Sequence, residues 1–164
     1  MVDNQDGKLI YIDHGVIKTK ADQPRAERLF FIFQFVRSII KKYNPAHAAL
    51  ETLYFGKNVS SAIPVAEARG VISAAIAEKG IPLLELTPSA IKQGVVGNAR
   101  ADKEQVQEMV KIILGLEEKP KPDHCADALA AAICAANSQP IQIQKRSGSG
   151  LLNRAKIVCS KNDV

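Results

Sequence analysis

The sequence predicts an α/β domain, a small sheet flanked by helices. Short apolar runs rich in Ile, Val, Leu and Tyr alternate along the chain with longer stretches of helical period. Cap residues and glycine stops bracket several of the helical stretches. Composition agrees: 164 residues at 46% hydrophobic and 24% charged are ordinary for one globular domain. Disorder, collagen and coiled coil are excluded as overall descriptions. A chain of this length buries about two-thirds of its unfolded surface and needs no staples. Its apolar stretches fall well short of the ~18 residues of a membrane span. Met1 to Gly7 is polar, with Asp3 and Asp6, unlike a signal or transit peptide, so a cytoplasmic location is expected.

Residues 8–19, KLIYIDHGVIKT, read as one strand with a bulge or as two short strands. Asp22 and Pro24 signal a helix start, and Leu29, Ile32, Phe33, Val36, Ile39, Ile40 and Tyr43 follow helical spacing. Asn44-Pro45 ends that helix. AHAALE, 46–51, fits a buried strand closed by Glu51, and a loop follows through Tyr54, Phe55, Gly56 and Lys57. Ser60 and Ser61 can cap an Ala-rich helix running to Lys79, stopped by Gly80, with Pro64 tolerable only in its first turn.

PLLEL, 82–86, is the next strand. Thr87-Pro88 then opens a short helix, and Gly94 and Gly97 are expected to flank a turn. Asp102 and Gln105 make a capping-box pattern for a helix over 103–114, stopped by Gly115. Asp123 is expected to cap a last, alanine-dominated helix over 124–137. Beyond it the composition shifts to Gln, Ser, Gly and Lys, so 138–164 is expected to be a flexible basic tail outside the 1–137 domain. Only about three strands are visible from these signals, a small sheet for this much helix.

The net charge of +5 is carried largely by that tail, where Lys145, Arg146, Arg154, Lys156 and Lys161 face one acid, Asp163. Bulk charge is therefore a weak pointer to a polyanion. Cys125, Cys134 and Cys159 are odd in number and form no C-x-x-C, which argues against a disulfide framework or a zinc site.

The chemistry-bearing residues sit at element ends. Glu51 closes an apolar strand, where a carboxylate is either solvent-exposed, paired or bound to a cation. His124 and Asp127, at i and i+3, share one helix face and can share a divalent cation; an acid near a helix start is also favoured by the dipole. Asp13 in IDHG is another strand acid, though Gly15 close by suits a turn. Tyr54 can stack on an unpaired base or pack inward. Lys92, Arg100 and Lys103, at two helix starts and the loop between, can meet phosphates or serve solubility.

Four motifs together, ALETLYFGKN (49–58), AEARGV (66–71), LTPSAIKQGVVGNARADKEQVQEMV (86–110) and DHCADALAAAI (123–133), resemble the RuvC family of Holliday-junction resolvases. Their order and spacing match over roughly residues 8–137. The resemblance implies an RNase H-like mixed sheet with helices on both sides. It further implies a homodimer that binds a four-way DNA junction, works with a branch-migration helicase complex, and nicks two strands of like polarity.

The cofactor implied is Mg²⁺, two per site, with Mn²⁺ able to substitute. Glu51 and Asp127 match two of the family's acidic ligands, and His124 falls where the family carries Asp or His. Tyr54 matches an aromatic at the junction centre. Lys57, Arg69, Lys92 and Lys103 are carried over as DNA contacts.

One departure stands out. The family opens with a strand ending in an I-D-P-G-type motif whose Asp is the central metal ligand. The stretch MVDNQDGKLIYIDHGVIKTK instead aligns with the end of the second strand and the third. The chain is thus expected to lack the first strand and most of the second, to be poorly stable, and to nick weakly, with a non-cleaving junction-binding protein or an inactive fragment as the alternatives. A smaller alternative makes Asp13 the stand-in for the absent Asp.

Overall fold

The computed structural model describes residues 1–53, 59–138 and 156–159. Its sheet begins with a hairpin: β1 (Val2–Gln5) pairs antiparallel with β2 (Lys8–Tyr11). The two-residue connection is Asp6-Gly7, both at positive φ (52° and 89°), the backbone that matches strand twist in tight hairpins. The Gly7 amide donates to Asn4 Oδ1 at 2.9 Å. The run after Tyr11 continues without regular strand structure, so the strand expected over 8–19 is four residues long.

α1 (Arg25–Tyr43) ends at Asn44, which takes the left-handed conformation (φ 43°) and returns its amide to the Ile40 carbonyl. β3 (His47–Glu51) follows, then α2 (Val59–Glu78). α2 starts ahead of Ser60, which puts Pro64 at its sixth residue, beyond the first turn assumed from the sequence. β4 (Leu83–Leu86) pairs parallel with β3 in the register Leu50↔Glu85 and Glu51↔Leu86.

α3 (Pro88–Val96) is capped by Thr87, whose hydroxyl accepts from the Ala90 amide at 3.1 Å. α4 (Lys103–Leu114) has the full capping box of Asp102 and Gln105. α5 (Asp123–Asn137) starts one residue earlier than expected: Pro122 occupies the cap position, and Asp123 lies in the first turn without capping it.

The last strand lies beyond residue 137. β5 (Lys156–Cys159) pairs parallel with β3 over four positions and meets β1 antiparallel through Val2↔Lys156. The order is β2-β1-β5-β3-β4, so a segment assigned to the tail holds the middle of the sheet. KIVC is too short, and too close to SGSG, for periodicity to single it out.

Helices cover both faces. On one, α1 and α2 bury Ile32, Val36, Ile40, Ala68, Ile72, Ala75 and Ile76 against Ala48 and Leu50. On the other, α3, α4 and α5 bury Ile91, Val95, Val106, Val110, Leu129 and Ile133 with Val2 of β1. Fully burying one aliphatic side chain of this size is worth roughly 1.5–3 kcal/mol.

α5 reaches the sheet as a nearly bare helix, with Ala126, Ala130, Ala131, Ala132, Ala135 and Ala136 all buried. Gly94, expected in a turn, is instead inside α3, where a Cβ would come within 2.6 Å of Cys134 Sγ. That glycine is a close-approach residue between α3 and α5.

Candidate active site

Glu51 is the last residue of β3, at the carboxyl edge of the parallel pair. The next amide, Thr52, still donates to the Leu86 carbonyl at 2.7 Å, so the strand end is held in register. Side chains alternate across a strand. Ala48 and Leu50 pack toward α1 and α2, so Glu51 belongs to the opposite face, with Leu86, which packs in the α3–α5 cluster.

Asp127, one turn into α5, is half-buried. Burial pushes its carboxyl up from the ordinary range; the positive charges of Lys103, His124 and Lys92 oppose that rise, and Asp123 adds to it. The fold thereby places four residues singled out from the sequence, Lys92, Lys103, His124 and Asp127, within one electrostatic neighbourhood. Lys103, in the first turn of α4, also pairs with Asp123 across the helix starts at 3.0 Å. Lys103 holds the Asp123 carboxyl below its usual value. Asp123 was read from the sequence only as a cap. Its pairing depends on two helix starts meeting, which no local pattern encodes.

Arg69, expected at the DNA surface, is turned inward from α2, with its side chain 19% exposed. One arm of its guanidinium donates to the Glu51 carbonyl and the other to the Glu85 carboxylate. Tyr54 and Lys57 lie outside the described residues.

Asp13 is tied elsewhere. The Tyr43 hydroxyl donates to its carboxylate, and the Met1 amine donates to its carbonyl at 2.7 Å. The Tyr43 hydrogen bond holds the Asp13 carboxyl low. Together these residues line a cavity of about 360 Å³ that reaches Cys125, Ala128 and Leu129 of α5.

Carboxylate and imidazole donors suit a divalent cation. Among the described residues, however, no three His, Cys, Asp or Glu side chains gather as a metal site. Glu51, His124 and Asp127 are therefore not closed into a three-ligand cage. The strand beside Glu51's own, β5, brings Lys156, Ile157, Val158 and Cys159 to the centre of the sheet, and no carboxylate. Among the described residues, no helix is long and apolar enough to cross a membrane.

Residues 1–135 match the family model of crossover junction endodeoxyribonuclease RuvC. The RuvC of Desulfitobacterium hafniense is 42% identical over 151 residues, 92% of this chain and 90% of that protein. The protein of the same name from Heliobacterium modesticaldum is 47% identical over 138 residues, covering 84% and 85% of the two chains.

Among solved structures, Thermus thermophilus RuvC superposes with a TM-score of 0.75 at 34% identity, covering 83% of this chain and 82% of that one. The same organism's RuvC in complex with a Holliday junction substrate gives 0.77 at 34% identity, over 82% of each chain. By these matches the chain belongs to the RuvC family.

Proposed function

We propose that this chain is a structure-selective DNA endonuclease that resolves Holliday junctions in recombination and repair by paired nicks in strands of like polarity. The observation that carries this most directly is the likeness over 82% of the chain to a RuvC bound to a Holliday junction substrate. The edge of the sheet supplies compatible chemistry. Glu51 and Asp127 are the acidic groups, and His124 adds an imidazole on the same helix face. Lys103 stands at the start of α4, where backbone amides and the helix dipole also favour phosphate oxygens, and Lys92, five residues into α3, adds a second cation.

Glu51, His124 and Asp127 are the residues that would hold Mg²⁺, or Mn²⁺ in its place, with two ions per site in the family pattern. When bound, such ions supply Lewis acidity toward the phosphodiester and a more acidic water. The raised carboxyl of Asp127 suits this role, because a nearby cation relieves the cost of its buried charge. Tyr54 is assigned to the junction centre and Lys57 to a DNA contact. The working unit is a homodimer acting in the cytoplasm with a branch-migration helicase complex.

A second reading, a junction-binding protein that does not cleave, is favoured by one observation: the described residues gather no three-ligand metal cluster. One experiment separates the two. The chain and its Glu51→Gln variant are incubated with a synthetic four-way junction and with linear duplex, in Mg²⁺ and in Mn²⁺. Symmetric nicks by the first that vanish in the second support the endonuclease. Junction-selective binding without nicks by either supports the binding protein. Equal affinity for junction and duplex would sink both.

A further inference from the structure

We infer that Arg69 is a positioning residue for Glu51 rather than a contact to DNA. This rests on the resolvase reading for its meaning, though not for its geometry. Arg69 projects from α2, the helix that packs with Ala48 and Leu50 on one face of the sheet. Alternation along β3 puts the Glu51 side chain on the other face. Arg69 therefore reaches the end of β3 from behind the site.

Both arms of its guanidinium are engaged there. One donates to the Glu51 carbonyl, and the other to Glu85, the β4 residue paired with Leu50. A planar fork can hold a carbonyl on one strand and a carboxylate on the next in fixed relation; an ammonium acts as a point charge and lacks that geometry. The Thr52 amide, bonded to the Leu86 carbonyl at 2.7 Å, is the last rung of the same ladder. α2, β3 and β4 are thus fastened together at the residue that carries the carboxylate. Little of the guanidinium remains for a phosphate, since the side chain is 19% exposed.

The test uses the full chain with Arg69→Gln, Arg69→Lys and Glu85→Gln. It reads amide hydrogen exchange residue by residue, and junction binding without divalent ions at several salt concentrations. A positioning role predicts that exchange at Thr52 speeds up about tenfold in both Arg69 variants and less in Glu85→Gln, with Val36 and Ile76 unchanged. Junction affinity and its salt dependence should stay within about twofold in all three.

Where nicking is measurable, kcat should fall while KM holds. A phosphate contact predicts the reverse pattern. Arg69→Gln would then weaken binding and flatten the salt slope by about one, Arg69→Lys would restore both, and Thr52 exchange would not move. Faster exchange throughout α1 and α2 would also overturn the proposal, reducing Arg69 to a general stabiliser. If the unaltered chain shows no preference for junction over duplex, the resolvase reading fails, while exchange at Thr52 still decides whether Arg69 holds the strand end.

Discussion

The two faces of the sheet are built on opposite principles. The α1–α2 face is filled by volume: Ile32, Val36, Ile40, Ile72 and Ile76 close on Ala48 and Leu50. The α3–α5 face is built by proximity: α5 presents mostly alanine, and Gly94 lets α3 come against Cys134. The difference matters because only the second face carries Asp127 and His124. A helix without long side chains cannot shift by changing rotamers, so its first turns are fixed by backbone distance to the sheet. The first face can absorb more, and its outer side leaves Phe30 and Phe31 59% and 46% exposed.

Removing volume should therefore hurt most on the first face. Ile76 is 1% exposed within that cluster, so Ile76→Ala is expected to cost about 2–5 kcal/mol through lost burial and the cavity left behind. Chemical denaturation measures it, and a loss below about 1 kcal/mol would mean that the face collapses freely and is not held by volume.

Adding volume should hurt on the second face. Gly94→Ala brings a methyl to within 2.6 Å of Cys134 Sγ, and overpacking of this kind costs about 1–3 kcal/mol. The contrast sharpens in the double variant. Cys134→Ala removes the obstructing sulfur and should recover most of the loss, giving a coupling of roughly 1 kcal/mol or more in a double-mutant cycle. Strict additivity would show that the close approach is not what requires the glycine. The same packing makes Cys134 chemically quiet, since burial pushes its thiol up to about 11.

The two faces were not equally legible in the sequence. Local signals located the helices: Thr87-Pro88, the Asp102–Gln105 box and the apolar spacing in α1 all act within one or two turns. The same is true of Asp127 and His124, whose i, i+3 spacing places them on one helix face without any tertiary knowledge. What was missed depends on partners far along the chain. Gly94 looks like a turn residue until Cys134, forty positions on, is laid across it. KIVC becomes a central strand only when β1 and β3 bond it from either side. Arg69 is a surface cation by composition and a half-buried clasp once β3 and β4 are parallel. Asp6-Gly7 is the exception, a local hairpin signal beside a polar strand, VDNQ.

The site's own face carries a cost that the first does not. Burial raises the Asp127 carboxyl above its unfolded value, so in metal-free protein the folded state prefers the proton. The unfolded chain releases it first as pH rises, and stability falls as pH climbs through the folded value. Asp127→Asn is thus expected to raise metal-free stability at pH 7 by roughly 0.5–2 kcal/mol, while removing nicking. The gain should disappear on acidification below the unfolded carboxyl range near 3.8. A destabilised Asn variant at pH 7 would mean that Lys103, His124 and Lys92 outweigh burial.

The smallest effect lies at the join between the hairpin and the first face. There the Tyr43 hydroxyl donates to Asp13, and that bond is the main reason the Asp13 carboxyl is held low. The sign is opposite to that of Asp127. A carboxyl lowered on folding contributes stability above its unfolded value and loses it as pH falls through the lower, folded one. Tyr43→Phe keeps the ring and deletes the donor, so it should cost only about 0.5 kcal/mol near neutrality, because the pair is partly solvated. The deficit should shrink as the pH drops below the usual carboxylate range and both proteins protonate Asp13. Acid titration of the two by circular dichroism checks this: the variant should begin to unfold at slightly higher pH. A deficit that persists unchanged into strong acid would assign the effect to the hydroxyl's other bond, which it accepts from Lys42 Nζ at 2.6 Å, and not to the charge on Asp13.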